Sequence, residues 1–323
     1  MVGACNVDLI VYVARPPLLG ETLKGESFAQ GFGGKGANQA VQAALARGGE
    51  GGGFPVLMLG KVGVDGFGSG TEDNFRSRGV DTSYLFRTDK ASSGVAPITV
   101  SADGRNSIII VGGANDLLED AEVDAAVAGA PRYQIVMGQL EIPERVTLRA
   151  FRKLKPLGVR TILNLAPCPH EISAELAELL SLADIVCPNE VELAQITGCE
   201  IAPSDAACFL DQVRAAATVL RQKCAPGAVV ISTIGAQGCM LSLPDGTHDH
   251  VKVPISLAAD QVIDTSGAGD SFLGALATCL IELGFEDLNK AVKIAQLASA
   301  LSVTKKGTQS SYPHRAELPM LSI

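Results

Sequence analysis

The chain has 323 residues, 47% of them hydrophobic, enough to fill a sizeable core in one large domain or two modest ones. Against 35 Asp and Glu stand 26 Lys and Arg, a formal net charge of −9, which excludes a general nucleic-acid or anionic-membrane surface because either needs clustered cations. Nowhere do 18 apolar residues run without a charge; "AVKIAQLASALSV" is broken by Lys293 and Gln296, so a soluble, cytoplasmic protein with no membrane contact is expected.

The opening "MVGACNVDLIVYV" lacks a basic segment followed by a long apolar one, so it reads as a first strand rather than a signal peptide. Asn6 and Asp8 fall on one side of that strand at period two, among apolar residues, and need partners; structural hydrogen bonding and ligand binding both fit. Next, "GFGGKGANQAVQAALA" (31–46) fails as a nucleotide P-loop, because Ala29 and Gly36 stand where a Gly and a Ser or Thr belong. What remains is a tight backbone at Gly33 and Gly34 leading into a helix whose start offers Lys35, Asn38 and free amides. That set suits sugar hydroxyls, or is only a glycine turn before a helix. "RGGEGGGFP" (47–55) reads as a loose surface turn. "ETLKGESFAQGFGG" and "GVAPITVSADGRNSIIIVGG" resemble antiparallel hairpins more than βαβ units, so the first 115 residues suggest a small β-sheet layered on an α/β body.

From about Pro131, short β-type runs ("YQIVMGQL", "TILNLA", "DIVCPN", "AVVISTIG") alternate with helical patterns, implying a parallel sheet covered on both faces. Each strand ends in a polar or small residue: Glu141, Asn164, Asn189 and Gly235. Ligands of such sheets bind beyond the carboxyl ends of the strands. Glu141 also fits a helix-start charge ahead of Pro143. "THDH" lacks a third ligand and reads as a solvated loop rather than a metal site. The eight cysteines form no CxxC pair, and Cys187, Cys239 and Cys279 lie in apolar segments, as reduced core thiols would.

In "DTSGAGD" (264–270), Gly267, Ala268 and Gly269 leave backbone amides open to an oxyanion, and the following helix adds the positive end of its dipole. Asp270 is then either a helix N-cap or a base beside a bound phosphate, able to take a proton from an attacking hydroxyl.

Four motifs, "GGKGANQA", "PNEVEL", "DTSGAGDSFLGAL" and "VTKKGTQSSYP", occur in this order and closely resemble the ribokinases of the PfkB carbohydrate kinase family, over nearly the whole chain. The resemblance implies one doubly wound, mostly parallel α/β domain over 1–323, with a β-sheet lid inserted at roughly 10–33 and 94–112. It implies dimerisation through the lid and ATP-dependent phosphorylation of D-ribose at its 5-hydroxyl. Asp270 would be the base, with Gly267, Ala268 and Gly269 as the anion hole; Asn6, Asp8, Gly33, Gly34, Lys35, Asn38 and Glu141 would bind the sugar. ATP would meet Asn189, Thr233, Ile234, Gly235, Ala236, Gln237, Gly238 and Gly269. Gln296 stands where bacterial members have a His near the adenine, which leaves its own contact open. Glu192 would serve Mg²⁺ through water, and Asp264, Ser266, Ser302, Lys305, Gly307 and Ser311 would bind K⁺, Lys305 only by its carbonyl. Other substrates remain open, among them deoxyribose, fructose, tagatose 6-phosphate or a nucleoside, as does a non-catalytic sugar sensor. A dinucleotide dehydrogenase does not, since no GxGxxG follows a strand.

Overall fold

The computed structural model describes residues 1–47, 53–103, 105–129 and 133–318. Most of the glycine-rich turn expected at 47–55 lies outside these residues. In chain order the elements are β1 (Asn6–Val13), β2 (Ser27–Gly33), α1 (Lys35–Arg47), β3 (Val56–Leu57), β4 (Gly60–Gly63), α2 (Gly66–Ser77), β5 (Val80–Asp81), β6 (Leu85–Thr88), β7 (Gly94–Ser101) and β8 (Asn106–Ile108). There follow α3 (Asp120–Gly129), β9 (Ile135–Gly138), α4 (Glu144–Leu154), β10 (Arg160–Asn164), α5 (Ala174–Leu182), β11 (Ile185–Cys187), α6 (Glu190–Thr197) and α7 (Phe209–Arg221). The chain ends with β12 (Val229–Thr233), β13 (Cys239–Ser242), β14 (His248–Val251), α8 (Ala268–Leu283) and α9 (Leu288–Ser302).

Adjacent residues of the body strands serve opposite cores, as a period of two requires. Val136, Leu163, Val186 and Val230 pack with α3 to α7, while Met137, Ile162, Ile185 and Ile231 pack with α8 and α9. The body sheet runs β14-β13-β12-β11-β10-β9 with β9 to β12 parallel and β13 and β14 antiparallel at one edge. Helices on both faces make the fold doubly wound.

The second sheet, in order β2-β1-β7-β8, is the lid; its two hairpins are antiparallel, but β1 and β7 join them in parallel. The hairpin expectation thus holds within the lid and fails between it and the body. Residues 56–88 form parallel pairs β3/β5 and β4/β6 around α2, a βαβ arrangement whose strands of two to four residues are too short to show a pattern. Val2 bridges both Leu59 and Gly138 in parallel, so the segment ahead of β1 belongs to the body before the strand enters the lid. "THDH" is also corrected: His248 and His250 sit on the edge strand β14, bonded to Ser242 and to the Gln237 carbonyl. All eight cysteines are free, with Cys187, Cys239 and Cys279 buried. Among the described residues no helix is long and apolar enough to cross a membrane.

Candidate active site

The turn into α1 is shaped by contacts that leave no space for side chains. Gly34 adopts φ +86, and a Cβ there would lie 2.6 Å from the Ala4 carbonyl oxygen. A Cβ on Gly36 would lie 2.7 Å from the Gly3 backbone, and one on Gly33 would collide with the Asp8 carboxylate. The "GGKG" run therefore lets α1 start directly against the segment leading into β1, with Asp8 laid over Gly33. The first N–H of this helix, on Lys35, donates to Glu141 Oε2 at 2.7 Å. Glu141 does serve a helix start, but that of α1, not of α4 behind it.

Three acids and a lysine share this corner. Burial, then Glu141 and Asp270, push Asp8 up to about 6. Among the described residues no hydrogen bond or ion pair reaches its carboxylate. Burial also raises Glu141, against the opposing pull of Lys35. Burial disfavours the Lys35 ammonium, but Asp270, Glu141 and Glu192 outweigh it, and its pKa is raised. The surrounding carboxylates therefore favour Lys35 as a cation. Asn6, the other polar residue at the base of β1, gives its Oδ1 to Asn115 Nδ2 at 2.8 Å, leaving its own N–H₂ for a ligand.

Asp270 is not a helix cap. Gly267, at φ +71, is the N-cap of α8, and Asp270 stands inside the first turn, 8% exposed. Its carboxylate faces α1: Asn38 Nδ2 donates to Oδ2 and Gln39 Nε2 to Oδ1, both at 2.9 Å. Small residues make that approach possible, since a Cβ on Gly274 would lie 2.5 Å from the Gln39 carbonyl oxygen. The Ala268 N–H turns back to the Thr265 carbonyl at 3.3 Å, whereas the N–H groups of Gly267, Gly269 and Asp270 meet no acceptor among the described residues. Those three, at the positive end of α8, are the amides open to an anion. The Tyr312 hydroxyl donates to the Gly267 carbonyl at 3.2 Å and steadies the turn.

The expected nucleotide residues gather at the ends of β11 and β12. Asn189 and Glu192 form a reciprocal capping box at the start of α6, each side-chain oxygen accepting the other's backbone N–H at 2.8 Å. Their spacing thus has a structural use, and Glu192 Oε1 accepts no hydrogen bond among the described residues. Thr233 bridges Asn189, and the turn from Ile234 to Gly238 follows, with Gly235 and Ala236 exposed. Gln296 is 3% exposed behind that turn; Nε2 donates to the Val251 carbonyl at 2.7 Å, and the buried Oε1 meets no hydrogen-bond partner among the described residues.

The expected cation residues come from two loops held together by Asp264, whose carboxylate accepts the N–H of Ser266 and of Gly307, each at 2.9 Å. Lys305 Nζ is directed to Glu317 at 3.0 Å. The Ser302 carbonyl accepts the Lys305 N–H, but the carbonyls of Asp264, Ser266, Lys305, Gly307 and Ser311 accept no hydrogen bond among the described residues. Uncommitted carbonyls of this kind are the donors a monovalent cation takes in place of water, so this donor set fits one.

Sequence reasoning missed Gln39, Gln309 and Asn115. Gln309 Nε2 donates to Asn38 Oδ1 at 2.9 Å, and Asn115 grips both backbone groups of Cys5. Gln39 follows Asn38 directly in the motif, the only signal that could have found it.

The description "pfkB family carbohydrate kinase" matches residues 1–315. A ribokinase of Mus musculus is 36% identical over 321 residues, covering 99% of this chain and 93% of the relative. A deoxyribokinase of Salmonella typhi is 40% identical over 313 residues, covering 97% and 94%. Among solved structures, a ribokinase of Arabidopsis thaliana complexed with ribose and ATP superposes with a TM-score of 0.83 at 30% identity, over 100% of this chain and 97% of that one.

Proposed function

The chain belongs to the PfkB family of carbohydrate kinases and is an ATP-dependent sugar kinase, and on that footing we propose that its substrate is D-ribose, phosphorylated at the 5-hydroxyl. The observation that carries this reading is the Asp8 carboxylate, partly buried yet with no hydrogen-bond or ion-pair partner among the described residues. Two acceptor oxygens side by side match the two donors of a vicinal diol, and the N–H₂ that Asn115 leaves on Asn6 supplies a donor beside them. Gly33, Gly34, Lys35, Asn38 and Glu141 complete the sugar site. Asp270 takes the proton of the 5-hydroxyl as its oxygen bonds to the γ-phosphorus and the bond from that phosphorus to the β-phosphate oxygen breaks, releasing ADP. The amides of Gly267, Gly269 and Asp270 stabilise charge on the group in transfer.

The residues also fit the ions. Mg²⁺ would neutralise phosphate charge, with Glu192 holding one of its waters; K⁺ would sit among the carbonyls of Asp264, Ser266, Lys305, Gly307 and Ser311. Thr233 to Gly238 and Asn189 would border the nucleotide, with Gln296 behind the turn. Val11, Tyr12, Phe28, Ile108, Ile109 and Ile110 are exposed on the lid, an apolar face that supports pairing of two chains through their lids. Light scattering should then give twice the chain's mass, and a monomer at micromolar concentration would remove the dimer.

The 40% identity to a deoxyribokinase favours a second reading, 2-deoxy-D-ribose. A site built to bind a hydroxyl discriminates strongly against the analogue lacking it. Coupled ADP release is therefore expected to be at least ~100-fold higher in kcat/KM for D-ribose, and faster in K⁺ than in Na⁺. Equal or better turnover of 2-deoxy-D-ribose would replace the substrate, and equal rates in the two salts would remove the cation.

A further inference from the structure

We propose that Gln39 is the positioning residue of the base, fixing Asp270 to the central sheet through Asn164; the inference rests on Asp270 being that base. The polarity of this chain of amides is set at its far end. A backbone carbonyl can only accept, so Asn164 Nδ2, 2.9 Å from the Cys187 carbonyl, must be the donor and Asn164 Oδ1 must face Gln39. Gln39 Nε2 then lies 2.9 Å from Asp270 Oδ1 and 3.2 Å from Asn164 Oδ1, one hydrogen for each. Gln139 Nε2 donates to Gln39 Oε1 at 2.6 Å, which occupies the other end of the amide. Gln39 is fully buried, so no water can replace these bonds. The link runs from the ends of β11 and β10 through α1 to α8, and it holds one oxygen of Asp270 while Asn38 holds the other.

Removing Gln39's N–H should therefore leave one oxygen of the base unheld and misplace it. The other charged or titratable groups acting with Asp270 are Lys35, Asp8, Glu141, Glu192 and Tyr312; none of them is altered by changing Gln39.

Gln39→Met keeps the length and loses the donor. In the whole enzyme with saturating ATP, kcat is expected to fall ~10-fold or more with sugar KM within ~2-fold. In an Asp270→Asn background the same change should cost less than ~2-fold, because a residue acting through Asp270 has nothing left to act on. A loss carried in KM rather than in kcat, or an equal loss in both backgrounds, overturns the role. If Gln39→Met does not fold, Asn164→Ser, which leaves Gln39 without its second acceptor, is judged by the same two readouts. Near-parental turnover by Asp270→Asn would instead remove the base assignment itself, a different failure from an inactive Asp270→Asn with additive Gln39→Met.

Discussion

At the start of α1 the Lys35 N–H is satisfied by the Glu141 carboxylate from across the site, whereas at the start of α8 the N–H groups of Gly269 and Asp270 meet no acceptor among the described residues. Both helices follow a glycine in the left-handed region, Gly34 in one case and Gly267 in the other. The local sequence device is the same and the outcome is opposite. A helix start filled by the protein's own acid becomes a fixed joint, which here ties the Lys35 backbone to Glu141. One left open keeps its partial positive charge for an incoming anion. The start of α6 is a third case, closed by its own Asn189 and Glu192.

The strongest way to break this contrast is at α8. Gly267→Ala puts a side chain at φ +71 and aims its Cβ at Thr308 and Tyr312, so the turn must shift. A loss of ~100-fold in kcat is expected, the scale of removing one oxyanion donor, with sugar binding by calorimetry retained. Survival of kcat within ~3-fold would mean that the α8 amides do not hold the transferring group.

A smaller effect sharpens the α1 side. If Asp8 accepts the sugar hydroxyls as proposed, it does so best when ionised, and its pKa in the free protein is raised to about 6. The expected kcat/KM for sugar therefore falls about tenfold per unit as pH drops below that value. The stability effect has the opposite sign. Between the ordinary value of 3.8 and about 6 the folded state holds the proton more tightly than the unfolded, so the sugar-free protein loses stability as pH rises through that window. Asp8→Asn should then melt higher than the parent above pH ~6 without sugar, in a thermal scan, while binding sugar worse. A lower melting temperature there would show that Asp8 is held by partners rather than strained by burial.

Much of the site was legible because its geometry depends on residues with few substitutes. Glycines at 33, 34 and 267 and an acid at 270 mark backbone approach and an acceptor, whatever surrounds them. The partners of that acid were less legible. Gln39 and Gln42 lie in an alanine-rich helix that is buried nearly all round, and nothing in the spacing says which amide turns to Asp270. Asn115 acts on Cys5 across 110 positions, a contact that no local pattern encodes. Asn189 and Glu192 carried the reverse ambiguity: a spacing read as ligand chemistry is also a capping box. In the fold, the body strands were legible as short apolar runs because both of their faces are buried, while β3 to β6 were too short to show any pattern.

The passage of one strand between two sheets has a mechanical consequence. Val2 is woven into the body, Asn6 already belongs to the lid, and Asn115 clamps both backbone groups of Cys5 between them. Asn6 and Asp8 therefore ride on the lid immediately beyond its point of attachment, while Asn38 and Asp270 stay with the body. If the sugar binds where it is proposed to, displacing the lid would take half of its site with it, and the position of the lid and the grip on the sugar would be a single coordinate.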